Sequence, residues 1–157
     1  MSVSPSTLHV ISGDILDQKV DVIVHPWQRH WIPGTSFSSS RVSDSIKKWA
    51  GQEPFQELSR HHKIKPGGAV MTRAGHLPHR AIIHCAGDGP LKRASEHSIR
   101  SCLVDALNLA RGKGYRSIAF PLMRCRQWND DETVSAMSDI CRQQGFDGDI
   151  FLVKEKG

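Results

Sequence analysis

The chain has 157 residues, a length that fits one domain whose core is large enough to fold without disulfides or a structural metal. Lysine and arginine number 21 against 16 aspartate and glutamate residues, so the net charge is +5 and an anionic partner is favoured, either a phosphorylated metabolite or nucleic acid. Ordinary solvated surfaces carry a similar excess, so the charge alone selects no function.

Cysteine spacing and hydropathy indicate a reducing compartment and no membrane partner. The four cysteines form no C-x-x-C pair, and the segment MSVSPSTLHV lacks the apolar core of a signal peptide. No apolar run approaches the roughly 20 residues that cross a bilayer. We therefore expect a cytoplasmic protein.

The first half of the chain predicts two strands followed by two helices. Residues 7–12 and 20–25 are rich in β-branched side chains, as strands are. The first helix, at residues 43–50, is predicted to be capped by Ser43, to bury Ile46 and Trp49, and to end before a glycine. The second helix opens at Pro54.

The second half predicts strands and helices in alternation. The elements in chain order are strands at 69–74 and 81–86, a helix at 95–113, a strand at 116–121, a helix at 131–144 and a strand at 149–153. Several strands are apolar almost throughout, so helices are expected on both faces of the sheet. The order predicts a single α/β domain over residues 1–157, a three-layer α/β/α sandwich with a mixed, mostly parallel six-stranded sheet.

Two loops follow strands and precede helices, which is where open α/β sheets bind ligands. The first contains the run His25-Pro26-Trp27-Gln28 and a serine cluster, Ser38-Ser39-Ser40, ahead of a helix. Free backbone N–H groups and the positive end of the helix dipole suit a phosphate there. The second loop carries Arg124 and Arg126, which can add charge-assisted hydrogen bonds to the same crevice.

Five segments together resemble the macro domains, a family that binds ADP-ribose and related nucleotides. They are Gly13-Asp14-Ile15, VDVIV at 20–24, VSDSIKKWAG at 42–51, KPGGAVMTRAGHLPHRAIIHCAG at 65–87 and RSIAFP at 116–121. The resemblance covers nearly the whole chain and is closest to a stand-alone bacterial branch in which the second strand ends in proline and tryptophan. It implies the sandwich fold already predicted, with ADP-ribose or a related adenine nucleotide as the ligand, free or attached to a macromolecule.

The resemblance also implies roles for individual residues. Asp14 would accept a hydrogen bond from the adenine amino group, assisted by the N–H of Ile15. The family usually ends its second strand in N-A-A-N, whose amides reach the distal ribose and order the catalytic water, and here those positions give His25 and Gln28. His25 is either a general base poised near neutral pH or a structural imidazole that satisfies a neighbouring group.

The two phosphate loops depart from the family pattern. Ser39, Ser40 and Arg41 precede Val42 where relatives have glycines, and Ser43 replaces the acidic residue that serves hydrolytic members as a base. Arg124-Cys125-Arg126 replaces an S-T-G-x-x-G turn. The arginines either clamp the phosphates in place of backbone N–H groups or fill the cleft and abolish binding.

Other candidate residues have simpler explanations. Trp27 and Trp31 either stack on a base or plug the edge of the core. Cys125 lacks the C-x5-R cradle of a cysteine phosphatase. His61-His62 and His76-x-x-His79 lack further ligands at an established metal spacing, so neither a metal nor a cofactor is expected.

Three functional hypotheses follow. The first is an ADP-ribose-binding domain, either with or without a weak hydrolase activity of the Appr-1''-p processing type, toward ADP-ribosylated groups or an O-acyl ADP-ribose. The second is a nucleic-acid or polyanion-binding module that uses the basic surface. The third is a degenerate domain that has lost the nucleotide and binds other proteins.

Overall fold

A computed structural model describes residues 7–27, 40–60, 68–86, 95–123, 125 and 128–155, with no side chain described at positions 27, 40–43 and 86. Its strands are β1 (Thr7–Ser12), β2 (Val22–Trp27), β3 (Ala69–Thr72), β4 (Ala81–Ala86), β5 (Ser117–Pro121) and β6 (Asp149–Lys154). Its helices are α1 (Ser40–Ala50), α2 (Glu53–Ser59), α3 (Glu96–Gly112) and α4 (Asp130–Arg142), with one 3₁₀ turn (Ile15–Asp17) between β1 and β2.

The six strands form one sheet in the order β1-β6-β5-β2-β4-β3. Every neighbouring pair is parallel except β3 and β4. The predicted mixed, mostly parallel six-stranded sheet is therefore confirmed. The five parallel strands end on one side of the sheet, which we call the carboxyl edge, and begin on the other, the amino edge.

Helices cover both faces of this sheet, as the apolar strands predicted. On one face, α3 and α4 bury residues such as Leu103 and Met137 against Val22 and Phe120. On the other, Ile46 of α1 and Ile15 of the 3₁₀ turn pack against Ile23. Removal of these apolar side chains from water is the main force that holds the layers together. Among the helices in the described ranges, none has the length and apolar composition that crossing a membrane requires.

Two predictions about α1 are wrong. The helix begins at Ser40, so Ser43 lies inside it and does not cap it. Trp49 is 59% exposed, because the buried stripe runs through Ile46 and Ala50, one helical turn apart, and Trp49 lies beside that stripe. The Lys48 ammonium lies 5.3 Å from the centre of the Trp49 ring, so the indole has a cationic neighbour at the surface.

Strand β2 is displaced by two residues from its prediction and continues through Pro26 to Trp27. A proline inside a strand is tolerated where no ladder hydrogen bond is lost. The register of β2 against β5 includes only Val22 and Ile23, so Pro26 lies beyond that ladder, while β2 stays paired with β4 as far as Trp27. The strand therefore carries His25 into the sheet instead of ending there.

Candidate functional site

Asp14 lies at the carboxyl edge, directly after β1. The N–H of Gly13 donates to the carbonyl of Lys154 at 2.9 Å, which fixes the end of β1 against the end of β6. Asp14 is exposed, and its Oδ1 accepts the N–H of Leu16 at 2.9 Å. Within the described part of the chain, Oδ2 has no partner. One carboxylate oxygen thus orients the side chain, and the other is available to a donor from solution.

Ile15, which follows Asp14, is anchored by its side chain. The side chain is buried in the cluster that includes Ile46 of α1. As the first residue of the 3₁₀ turn, Ile15 has no acceptor for its N–H within that turn. The site therefore presents a carboxylate and a neighbouring N–H group, and these are the groups that the resemblance assigned to the adenine.

The N-terminus of α1 points toward the same edge. The C-terminus of α1 is at the amino edge, because the carbonyl of Ala50 accepts the N–H of His76, which lies between the end of β3 and the start of β4. The opposite end of the helix, at Ser40, is therefore directed toward the carboxyl edge. The N–H groups of its first turn, at Ser40, Arg41 and Val42, have no intrahelical acceptors and carry the positive end of the dipole.

A comparison with α4 shows which helix start suits an anion. The first turn of α4 contains Asp130, Asp131 and Glu132, whereas the first turn of α1 contains no acidic residue. In α4 the N-cap Asn129 and Glu132 form a reciprocal capping box that already uses the exposed N–H groups. The first turn of α1 is therefore the better of these two positions for a phosphate.

His25 is buried, and its imidazole forms a hydrogen bond with that of His84 on the neighbouring strand. Its Nδ1 lies 2.9 Å from Nδ1 of His84, and Nε2 of His84 lies 2.8 Å from Oγ1 of Thr72. The Thr72 hydroxyl donates to the carbonyl of Arg73, so it accepts from Nε2–H of His84. Nδ1 of His84 is then the acceptor, and His25 carries its proton on Nδ1. With this assignment, each of these contacts pairs one donor with one acceptor.

This environment favours the structural explanation of His25. The Phe55 ring packs edge-on against the imidazole, with the ring centres 5.6 Å apart. Burial, with a smaller contribution from the Lys47 ammonium, lowers the pKa of His25 to about 3. An imidazole with this pKa is neutral at physiological pH and is not poised there as the general base that the sequence suggested. The sequence contained His84 within a family motif, but nothing in it indicated that the two rings would meet.

The remaining candidates divide into buried and undescribed residues. Cys125 is buried in the cluster beneath α3 and α4, away from solvent, which does not suit a nucleophile. Gln28, Trp31, Ser39, Arg124 and Arg126 lie outside the described residues, as do the side chains of Trp27, Ser40, Arg41, Val42 and Ser43. The two interpretations of the arginines therefore both stand.

The histidines that were considered as metal ligands differ in burial and in their contacts. His76 is exposed, whereas His79 is buried and its Nε2 lies 2.9 Å from the carbonyl of Gln18. Within the described ranges, no three His, Cys, Asp or Glu residues are grouped so that they could hold a metal ion. His61 and His62 lie outside those ranges.

The chain is similar to known proteins both in sequence and in structure. The family model described as Macro domain matches residues 17–135. An O-acetyl-ADP-ribose deacetylase of Escherichia fergusonii is 40% identical over 162 residues, covering 94% of this chain and 88% of that protein. A protein of the same name from Citrobacter rodentium is 39% identical over 124 residues, covering 74% of this chain and 66% of that protein.

Similarity of structure extends over nearly the whole chain. A mutant of the Oceanobacillus iheyensis macrodomain has a TM-score of 0.79 at 22% identity, covering 99% of this chain and 88% of that one. At this identity the likeness concerns the fold. Because the family model matches most of the chain and the Escherichia fergusonii protein aligns with nearly all of it, the chain belongs to the macro domain family.

Proposed function

We propose that this chain binds ADP-ribose, or a closely related adenine nucleotide, in the crevice at the carboxyl edge. The observation that carries the proposal is the geometry of Asp14, whose Oδ1 is held by the N–H of Leu16 while Oδ2 is available beside the N–H of Ile15. Oδ2 can accept a hydrogen bond from the adenine amino group, and the N–H of Ile15 can donate one to a ring nitrogen of the adenine. A charged acceptor strengthens such a bond relative to a neutral one.

The diphosphate is assigned to the start of α1. The N–H groups near Ser39, Ser40, Arg41 and Val42 would donate to it, with the helix dipole adding a favourable charge. Arg124 and Arg126, together with the backbone at Cys125, would reach the same group from the loop after β5. The basic net charge of +5 supports an anionic ligand.

We further propose a slow hydrolysis of an O-acyl ester of ADP-ribose. Support comes from two relatives named O-acetyl-ADP-ribose deacetylase, one of them aligned with nearly the whole chain. Ser43 replaces the usual acidic base, and His25 is buried with a lowered pKa, so Gln28 is the residue that would orient the attacking water. Rate enhancement would then come from positioning and fixed dipoles, without a strong general base.

Calorimetric titration with ADP-ribose, ADP and AMP tests the binding proposal. Asp14→Ala should abolish saturable binding of ADP-ribose, because the adenine loses its acceptor. Asp17→Ala is the matched control, since it removes another exposed carboxylate from the same turn and should leave the affinity unchanged. Equal affinity in the wild type and Asp14→Ala would reject the adenine assignment. No binding by the wild type to any of the three would reject the function and favour a filled cleft.

Release of acetate from O-acetyl-ADP-ribose tests the hydrolytic step separately. Gln28→Ala should lower the turnover rate by roughly tenfold or more while changing affinity little, as loss of a water-positioning group does. Turnover that is unchanged in Gln28→Ala would remove this residue from the mechanism. If the wild-type protein binds ADP-ribose but releases no acetate, the hydrolytic proposal is rejected and the protein is a binding domain without this activity.

A second candidate function is binding of nucleic acid, and the exposed indole of Trp49 beside Lys48 favours it. Exposed aromatic rings next to cations stack on unpaired bases. Such binding weakens steeply with salt, whereas a nucleotide in a closed crevice responds mildly. A salt titration against single-stranded RNA distinguishes the two, and a flat response or no binding would exclude this candidate.

A further inference from the structure

His79 is a buried histidine that lies far from Asp14 in the sequence and is connected to it through a chain of hydrogen bonds. The residue is 7% exposed and lies in the connection from β3 to β4, one residue before Arg80. Its Nε2 is 2.9 Å from the carbonyl of Gln18, and since a carbonyl only accepts, Nε2 carries the proton. His79 thus donates to the connection between β1 and β2 from across the fold.

Gln18 transmits this contact to Asp14 by two bonds. Its N–H donates to the carbonyl of Ile15 at 3.2 Å, which closes the 3₁₀ turn. Its side-chain amide donates to the carbonyl of Asp14 at 2.9 Å, so it also holds the residue whose carboxylate we assign to the adenine. We call these three contacts, from His79 through Gln18 to Ile15 and Asp14, the His79–Gln18 brace.

Packing alone does not account for a histidine at this position. Nδ1 of His79 is buried and has no hydrogen-bond partner in the described part of the chain. Burial of a polar nitrogen without a partner costs free energy, and an aliphatic side chain of similar size would fill the space without that cost. The nitrogen that is paired, Nε2, is the one that contacts Gln18, so the residue's particular contribution is a donor to the turn.

The exposed position of Asp14 explains why the turn needs support. Its carboxylate has one hydrogen bond in the described structure, from the N–H of Leu16, which is itself part of the turn. A shift of the turn therefore carries the carboxylate with it. A hydrogen bond to adenine requires the acceptor within a few tenths of an ångström of its place, because such bonds weaken steeply with poor geometry.

We propose that His79 and Gln18 are positioning residues for adenine recognition, which hold the 3₁₀ turn so that Oδ2 of Asp14 can distinguish an amino group from a carbonyl at the purine 6-position. This inference rests on the proposed function. It adds that base selectivity depends on a donor from the β3–β4 connection, which does not itself contact the ligand.

The test compares two ligands that differ at one group: ADP-ribose and inosine diphosphate ribose, whose base has a carbonyl oxygen in place of the amino group. The wild type should prefer ADP-ribose by roughly tenfold or more, the effect expected of one bond to a charged acceptor. His79→Leu, which keeps the apolar volume and removes the donor, should reduce that preference by roughly fivefold, chiefly through weaker ADP-ribose binding. A loss of stability alone would weaken both ligands equally and leave their ratio unchanged.

Two further variants make the result independent of folding defects. His79→Gln keeps a donor near the position of Nε2 and should restore most of the preference. Gln18→Ala removes only the amide that holds Asp14, at a half-exposed position, and should reduce the preference as His79→Leu does. Unfolding temperatures and circular dichroism confirm that each protein compared is folded.

The outcomes separate the inference from the proposed function. If Asp14→Ala loses saturable binding of ADP-ribose while His79→Leu and Gln18→Ala keep the preference at the wild-type value, the brace has no role in selectivity and the inference is wrong. If Asp14→Ala keeps the preference, the base is read elsewhere, and both the adenine assignment and the inference fail. If the wild type shows the preference, Asp14→Ala loses ADP-ribose binding, and both His79→Leu and Gln18→Ala reduce the preference while His79→Gln restores it, the inference is supported.

Discussion

The paired imidazoles beneath α2 predict that the protein loses stability in mild acid. His25 has a pKa of about 3 in the folded protein, against an ordinary value of 6.5. Below pH 6.5 the unfolded chain binds a proton at this residue and the folded chain does not, so acid favours unfolding. The contribution is fully present above pH 6.5 and is lost as the pH falls toward 3. Among the described residues, His84 and the Phe55 ring contact the imidazole, and the Lys47 ammonium acts on it electrostatically.

The expected size follows from the two pKa values. Each pH unit over which one state binds a proton and the other does not changes the free energy of unfolding by about 1.4 kcal/mol. Between pH 7 and pH 4.5 the contribution of His25 therefore falls by about 2–3 kcal/mol. For a domain with a total stability of about 5–15 kcal/mol, this is a large fraction.

Urea unfolding at several pH values between 7 and 4.5 measures this effect, with His25→Asn as the matched variant. An asparagine amide can donate to Nδ1 of His84 as the imidazole does, but it does not titrate. The free energy of unfolding should therefore fall less steeply with acid in the variant, by about 2–3 kcal/mol over the interval. Equal slopes in the two proteins would refute the assignment of a lowered pKa to His25.

Two further predictions concern stability at the amino edge. The Asp21 carboxylate accepts hydrogen bonds from the N–H of Arg116 at 2.9 Å and from Nε of Arg80 at 3.2 Å, and so joins the starts of three strands. Asp21→Ala should therefore lower the free energy of unfolding, measured in urea, by about 1–3 kcal/mol. A change near zero would contradict this. Gly75 has a φ of +61°, and a Cβ added there would lie 2.1 Å from the carbonyl oxygen of Ala50. Gly75→Ala should therefore lower the melting temperature. Gly112→Ala is the control and should not lower it, because a Cβ added at that position meets no atom within 4 Å.

Local sequence patterns were sufficient to predict the layers of the fold. Runs such as Ala81-Ile82-Ile83 are apolar on both faces and indicate a strand between two helical layers wherever they occur. Helix ends with strong local signals were predicted within a few residues, as at Ser95, whose capping box starts α3. The start of α1 was missed because several serines precede it and each is an acceptable cap, so local chemistry does not choose among them.

What the sequence determined by itself was the alternation of strands and helices and the position of Asp14 after β1, because hydrophobic period and turn residues are local properties. The tertiary structure decided which side chains meet. His25 and His84 are 59 positions apart and His79 and Gln18 are 61 apart, and each pair meets only when the sheet and its connections are assembled. Burial and hydrogen-bond partners depend on that assembly, and they set both the pKa of His25 and the support of the turn at Asp14.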